Sequence, residues 1–464
     1  MDESCDVAVI GAGVIGSAIA RELAGHDLRV VLVEARDDVG DGTSKANTAI
    51  LHTGYDASPG TLESRLVAEG YHLLADYAEQ TGIPLLRTGA LLVAWDAEQE
   101  AGLPALQAKA IANGYLKTEI VDADYVYRAV PSLGPGALGG LTVPDESIIC
   151  TWSTSLALAT DAVNRGAVLR LGVAVDDVEV GPRTTTLKTT EGDITARWVV
   201  NAAGLGGDLI DQMFGFDRIH LNPRRGELLV FDKLSRPQVP LIVLPVPSKL
   251  GKGVLVSPTI YGNVMVGPTA EDMTDRLDTS TTEAGFNFLF EKAEGLVPGL
   301  LHEEITAAYA GLRAAHDRSD YLIEADPEQR YLIAGGIRST GLTSCMAVAK
   351  YVLEQLEQAG LALAPRDRLP LPPKLPTIAE HEVRAYQNDA LIASDPAYGK
   401  VVCFCERATE GEIRDACNST IPATTPGGVR RRTRAMNGRC QGFFCGAAVA
   451  ALMETAAAER EAQK

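Results

Sequence analysis

Four cysteines near the end of the chain stand in two tight pairs: Cys403-Phe-Cys405, then 34 residues, then Cys440-Gln-Gly-Phe-Phe-Cys445. Two such pairs folded together supply four thiolates, a set that either zinc or an iron–sulfur cluster accepts. Disulfides are rare in intracellular chains, so this crowding reads as a metal site first. Cys417 lies outside the paired spacing and reads as core, and Cys5, Cys150 and Cys345 are scattered. A second chemical signature opens the chain. Gly11-Ala-Gly13-Val-Ile-Gly16 follows the apolar run Asp6–Ile10 at once, and a helix-period segment runs from Ser17 to Ala24. Leu28–Val33 is a second apolar run, closed by Glu34, 23 residues after Gly11. Glycines at this spacing permit a tight turn, close approach of a pyrophosphate and close helix–strand packing. The phosphates would sit on the amides at the helix start, with Glu34 accepting hydrogen bonds from a ribose. Alone, the unit says dinucleotide and leaves NAD and FAD open.

The elements that must position these groups follow in order. Residues 35–62 form a polar loop, the place where a flavin ring would be wrapped. Glu63–Gln80 and Ser155–Arg165 have helical periodicity; Ala167–Leu171, Asp176–Val180 and Thr195–Val200 read as strands. In Val199-Val-Asn-Ala-Ala-Gly204 a buried strand runs into a second glycine turn, the expected return of the nucleotide domain to its cofactor. Residues 220–330 are mostly strand-like, as for an antiparallel substrate-covering sheet. The chain then returns through a strand, a glycine loop and a long helix from Tyr331 to Leu356. RDRLPLPPKLP is the clearest boundary. The expected architecture is therefore α/β: a Rossmann-like nucleotide domain with an inserted antiparallel-sheet domain, and a small helical C-terminal metal domain. Residues 1–364 form the first region, with nucleotide segments near 1–80, 145–215 and 328–364 and substrate segments near 81–144 and 216–327. A linker at 365–397 precedes the cysteine domain at 398–464.

At 464 residues and 46% apolar content the chain can hold two or three domains. A net charge of −19 argues against nucleic acid or an anionic membrane as partner, without excluding a local basic pocket. The charged MDES leads straight into the first strand, and no apolar run reaches spanning length. A cytoplasmic protein is expected, with peripheral docking at the inner membrane face through a partner left open. Arg430, Arg431, Arg432, Arg434 and Arg439 gather before the second cysteine pair. They read either as a solvated face, as compensation for a negative cluster, or as a docking surface.

The cysteine region, VCFCE and VRRRTRAMNGRCQGFFC, resembles the [2Fe–2S] domain of bacterioferritin-associated ferredoxins and the C-terminal domain of anaerobic glycerol-3-phosphate dehydrogenase catalytic subunits. It implies a cluster on Cys403, Cys405, Cys440 and Cys445. The first 360 residues resemble flavin-dependent oxidoreductases of the D-amino-acid-oxidase type, which include glycerol-3-phosphate dehydrogenases, L-2-hydroxyglutarate dehydrogenases and sarcosine-oxidase relatives. GAGVIG, Glu34, GTSKANTAILHTG, VVNAAG and GGIRSTGLT carry that resemblance. It implies FAD held by Gly11, Gly13, Gly16, Glu34, Thr43, Ser44 and Gly204, with Gly341, Leu342 and Thr343 at a helix start facing the flavin pyrimidine.

By the same resemblance Arg313, in AAYAGLRAAHDRSDY, holds an anionic substrate, and Arg338 is a second anion contact. His52, in the flavin loop, is the candidate base for a substrate hydroxyl, and Tyr55 and Arg225 are further substrate contacts. The expected reaction is oxidation of an anionic secondary alcohol, with electrons passing from FAD through a [2Fe–2S] cluster to a partner subunit or quinone-linked carrier. A cluster that takes one electron at a time suits a dehydrogenase better than an oxidase. On substrate the two halves disagree. The tail points to sn-glycerol 3-phosphate, whereas HTGYDASPGTLESRL lacks the arginine common there and looks like the L-2-hydroxyglutarate version. VPDESIICTW likewise has Cys150 where an aspartate is usual. A non-catalytic electron-relay subunit is the alternative from another class.

Overall fold

The apolar run behind Asp6 forms strand β1 (Glu3–Ile10), followed by helix α1 (Val14–Leu23) and strand β2 (Val30–Glu34). Side chains alternate across a strand, and here both faces are covered. Val7, Val9, Val30 and Leu32 enter one core, while Ala8, Ile10, Val31 and Val33 enter the other. The computed structural model describes residues 3–247 and 253–462. Five parallel strands run in the order Val168–Leu171, β2, β1, Ile194–Asn201, Tyr331–Gly335. Three antiparallel strands (Val175–Val180, Thr185–Thr189 and Leu322–Asp326) extend this sheet. The helix expected from Ser155 begins earlier, at Thr151, because the Cys150 sulfur accepts the Ser153 amide at 3.3 Å and caps it.

A second sheet has nine strands, drawn from two separate stretches of chain. Its pairings are antiparallel except at the seam between the stretches, where Ile242–Pro245 runs parallel to Ala90–Ala94. One helix breaks the strand-like reading of 220–330: Glu283–Leu296, in which Thr282 caps the Gly285 amide and Leu289 and Ala293 turn inward. Its Phe-Asn-Phe-Leu-Phe core favours strand by residue type, and tertiary packing overrides that preference. A third, three-stranded sheet joins the two units, with Ser147–Ile149 between Ile50–Leu51 and Leu85–Arg87. Its register places Leu51 opposite Ser147, so His52 and Glu146 meet at the strand ends.

Residues 365–376 contain no helix or strand, but they are strapped to the nucleotide unit. Arg366 donates its amide to Gly25 at 3.0 Å, and Leu375 donates to Thr81 at 2.8 Å. Beyond lies the cysteine unit, with the paired strands Val401–Cys403 and Ala408–Thr409 and helices Glu410–Asn418, Pro426–Thr433 and Gly446–Ala462. Its core gathers Ile413, Cys417, Val429, Ala435 and Val449. The arginine run is not the solvated face its sequence suggested, because four of the five arginines bind carboxylates. Arg432 grips Asp38 with two bonds of 2.7 and 2.8 Å, and Arg431 reaches Asp38 and Asp41. Arg439 meets Asp232 and Glu304, and Arg434 meets Glu406 while its guanidinium lies 4.1 Å from the Tyr261 ring centre. Three of these four arginines, all but Arg434, thus clamp the cysteine unit to the rest of the chain by ion pairs.

Burial alone would raise the Asp38 carboxyl, but Arg432 and Arg431 hold it below the ordinary carboxylate range. Asp38→Asn leaves the buried Arg432 without its counter-charge, a loss of about 3–5 kcal/mol for breaking a buried pair. Hydrogen exchange across residues 426–445 is expected to speed up accordingly. A depressed folded pKa means that the clamp is fully present above the unfolded value of about 4 and is lost as pH falls through the lower folded value. Exchange in the unsubstituted protein should therefore stay slow at about pH 5 and rise below about pH 4.

Candidate active site

The first glycine turn is built around a crossing of backbones. Gly11 has a φ of +100°, and a Cβ there would lie 2.5 Å from the Ala202 oxygen. A Cβ on Gly16 would stand 1.8 Å from the Gly11 oxygen, so α1 can start so close to β1 only without a side chain. Glu34 receives the Ala12 amide at 2.8 Å and the Arg36 amide at 3.0 Å, and burial pushes its carboxyl up. Ser44 Oγ accepts the Val14 amide at 3.0 Å at the start of α1, beside Gly13, and Thr43 bonds the Leu312 carbonyl at 2.9 Å. The loop carrying Thr43 and Ser44 is thereby laid over the turn. The second glycine turn meets the first through Ala202 and Ala203. Gly204 itself is exposed, with open space around its Cβ position and a φ of +57°.

A cavity of about 310 Å³ lies next to the flavin-type loop. His52, Asp56, Glu63, Lys109, Arg338 and Thr340 are among the residues that line it. His52 Nδ1 is 3.0 Å from Glu146 Oε2, and the His52 amide donates to Thr343 Oγ1 at 2.9 Å. Glu146 is buried and also accepts the Thr53 amide at 2.6 Å and the Thr53 hydroxyl at 3.0 Å. An ionised carboxylate only accepts, so in the neutral imidazole this contact puts the proton on Nδ1 and leaves Nε2 with its lone pair. Gly341, Leu342 and Thr343 form the first turn of helix Gly341–Gln358, which packs so closely on helix α2 (Leu62–Thr81) that a Cβ on Gly70 would touch the Thr343 oxygen at 2.4 Å.

The expected substrate contacts separate into two groups. Arg338 reaches the cavity, paired with Glu63, which also accepts from Thr340 at 2.7 Å. Arg313 stands apart from this lining: it donates to the Thr269 carbonyl at 2.8 Å, and burial followed by the neighbouring Arg224 lowers its pKa. Among the described residues it has no carboxylate partner. Tyr55 is packed in the main core and is not on the cavity wall. Arg225 is paired with Glu271 at 2.5 Å and Asp278 at 3.2 Å and does not line the His52 cavity. Sequence reading missed Glu146 and Lys109. Glu146 stands in the VPDESII segment, but only the strand register reveals its partner. Lys109 comes from helix Ala97–Ala112 of the second unit and carries no local motif.

The four cysteines of the paired motifs come together in two facing pairs, Cys405 with Cys440 and Cys403 with Cys445. Among the described residues no three metal-ligating side chains converge on one point. Facing pairs do suit a centre with two metal ions, each taking thiolates. Cys440 receives the amides of Phe444, Gly442 and Phe443, which hold its thiol below the ordinary range against the effect of burial. Burial and the nearby Cys403 push Cys445 up to about 11. Left-handed backbone at Met436 (φ 66°), Gln441 (φ 48°) and Gly442 (φ 90°) curls the surrounding loop.

Comparison with known proteins agrees with both halves. Residues 6–355 match the family model described as FAD dependent oxidoreductase (DAO), and residues 401–455 match the BFD-like [2Fe–2S] binding domain. A glycerol 3-phosphate dehydrogenase from Caloramator mitchellensis is 37% identical over 442 residues, covering 95% of this chain and 92% of that protein. An anaerobic glycerol-3-phosphate dehydrogenase subunit of Escherichia coli (strain K12) is 25% identical over 507 residues, covering 97% of this chain and 88% of the other. The structure of dithionite-reduced L-alpha-glycerophosphate oxidase from Mycoplasma pneumoniae with FAD bound superposes with a TM-score of 0.76. Its identity is 27%, with 81% of this chain and 100% of that chain covered.

Gly16→Ala should displace the start of α1, because its Cβ has no space. Titration of the apoprotein with FAD, followed by quenching of flavin fluorescence, is expected to show affinity reduced at least about tenfold.

Proposed function

The chain belongs to the FAD dependent oxidoreductase family, and from that premise we propose that it oxidises sn-glycerol 3-phosphate to dihydroxyacetone phosphate and delivers the electrons through its cysteine domain. The observation that carries the chemistry is His52, backed by the buried Glu146 and opening on a cavity that also holds Arg338 and Lys109. In this reading His52 Nε2 takes the proton of the C2 hydroxyl while the hydrogen on C2 leaves as hydride, so that the C–O single bond becomes the ketone. FAD, when bound, supplies the hydride acceptor. Glu146 fixes the imidazole tautomer and stabilises the imidazolium that forms. Arg338 and Lys109 attract the phosphate dianion. Lys109 supports the glycerol 3-phosphate side of the disagreement between loop and tail, because it brings to the cavity from another element a cation that the flavin loop lacks.

Gly11, Gly13, Gly16, Glu34, Thr43, Ser44 and the first turn at 341–343 would hold FAD, and Cys403, Cys405, Cys440 and Cys445 would hold the cluster, which supplies one-electron acceptance. Gly204 is left with a turn-forming part, and Arg313 with an anion contact outside the His52 cavity. The acceptor in this reading is a partner subunit or a quinone-linked carrier. Among the described residues no helix is long and apolar enough to cross a membrane. We place the protein in the cytoplasm, reaching the inner membrane face only through such a partner.

Anaerobic stopped-flow mixing tests the substrate. Glycerol 3-phosphate is expected to bleach the flavin faster than L-2-hydroxyglutarate; faster bleaching by the hydroxy acid overturns the assignment. Bleaching by dithionite but by neither alcohol points instead to an electron-relay subunit. In the same experiment Glu146→Gln is expected to slow the limiting rate of flavin reduction by about 10–100-fold with little change in substrate affinity, as for loss of an orienting partner. A change confined to affinity would remove Glu146 from the chemistry.

A further inference from the structure

The residues between the cysteines are among the most exposed apolar groups of the molecule. Phe404 is 79% exposed, Phe443 84% and Phe444 79%. Phe404 lies between Cys403 and Cys405, and Phe443 donates its amide to the Cys440 carbonyl at 2.9 Å. Phe443 and Phe444 meet edge to face with centroids 5.2 Å apart. Since Cys405 faces Cys440, Phe404 and the Phe443–Phe444 pair sit on the two segments that bring these thiols together. The helix that follows, Gly446–Ala462, continues the apolar surface with exposed Ala447, Ala448, Ala450 and Ala451. Nothing in the packing of the cysteine unit needs these rings outside. Its core closes on Ile413, Val429 and Val449.

Most of the charge around them is already paired. Arg431, Arg432, Arg434 and Arg439 are each matched by carboxylates of this chain, which leaves the arginine run little free charge to offer an acidic partner. Three rings at this exposure present roughly 450–500 Å² of apolar surface. That equals the largest patches found on soluble monomers, which mark interaction sites. It falls short of the roughly 800 Å² per partner of a stable complex and fits the small encounter surfaces of redox proteins.

We propose that, of the acceptors in that reading, the carrier is the one that docks here: Phe404, Phe443 and Phe444 are the docking face for a soluble one-electron carrier protein, which binds transiently by apolar contact and brings its redox centre to the cysteine pairs. The proposal rests on reading those pairs as the point where electrons leave.

The probe is azurin, a small blue-copper protein whose copper edge opens on an apolar surface. Fluorescence anisotropy of labelled azurin, titrated with oxidised holoenzyme and no substrate, is expected to show micromolar-range binding that changes less than about twofold between 0.05 and 0.5 M salt, since screening acts on charge and not on apolar contact. Phe404→Ser, Phe443→Ser and Phe444→Ser combined should weaken it at least tenfold, while Phe288→Ser, on the exposed helix Glu283–Leu296, leaves it unchanged. Iron and acid-labile sulfide equal to the unsubstituted protein confirm that the triple variant is folded at the cluster. Unchanged binding by the triple variant, binding abolished by salt, or no binding by the unsubstituted protein overturns the proposal. So does self-association in sedimentation velocity, or co-sedimentation with neutral phospholipid vesicles, that disappears in the triple variant, since a second copy or a membrane would then be the occupant. Failure of glycerol 3-phosphate to bleach the flavin refutes the reaction alone and leaves this binding result standing.

Discussion

The architecture depends on one crossing from which side chains are excluded. The Ala202 carbonyl occupies the space a Gly11 side chain would need, and the Gly11 carbonyl does the same to Gly16. Two parallel neighbours, β1 and the strand Ile194–Asn201, can therefore end within touching distance at the start of α1. Every other element of the nucleotide unit is referred to that point. Glu34 ties β2 to it through the Ala12 amide, Ser44 folds the polar loop over it, and Thr43 carries the long strand Ile305–Ala315 up to it. A larger residue at either glycine would not create a local defect alone; it would shift the frame in which the other contacts are set.

How legible this was depends on the range of the interactions involved. β1, α1, β2 and helix α2 could be read from periodicity, because each is a local pattern whose cores lie on predictable faces. The cysteine pairs were equally plain as a metal site, since their spacing brings four thiolates together, while the choice of an iron–sulfur cluster over zinc came from the resemblance. Helix Glu283–Leu296 was not, because its aromatic run favours a strand locally and only packing of Leu289 and Ala293 decides otherwise. Among site residues, His52 was visible as an ionisable group in a telling loop. Glu146 was not, since its meaning comes from a strand register fixed 94 residues away. Arg225 and Tyr55 show the opposite limit of reading by residue type. Residue type suggested substrate contact, whereas surrounding acids claimed the first and the core claimed the second.

The arginine run makes the same point about charge. Five basic residues in a stretch of ten suggest a surface in search of a negative partner, and net charge makes that partner appear external. For four of the five the carboxylates are within the chain, at Asp38, Asp41, Asp232, Glu304 and Glu406. An acidic protein with a local cationic segment has ample means of neutralising it intramolecularly, and desolvated pairs of this kind specify geometry more than they add net stability. Here the geometry they specify is where the cysteine unit sits.

Asp38 and Asp41 lie on the stretch that begins at Glu34 and ends at Ser44, so one loop of about ten residues serves two clients. Its ends belong to the nucleotide turn and its middle grips Arg431 and Arg432. Ordering such a loop has an entropic cost of roughly 1–2 kcal/mol per residue, and that cost is met only once. Whichever partner arrives first leaves less disorder for the other to remove. The same ordered loop therefore shapes the nucleotide turn and sets the seat of the cysteine unit.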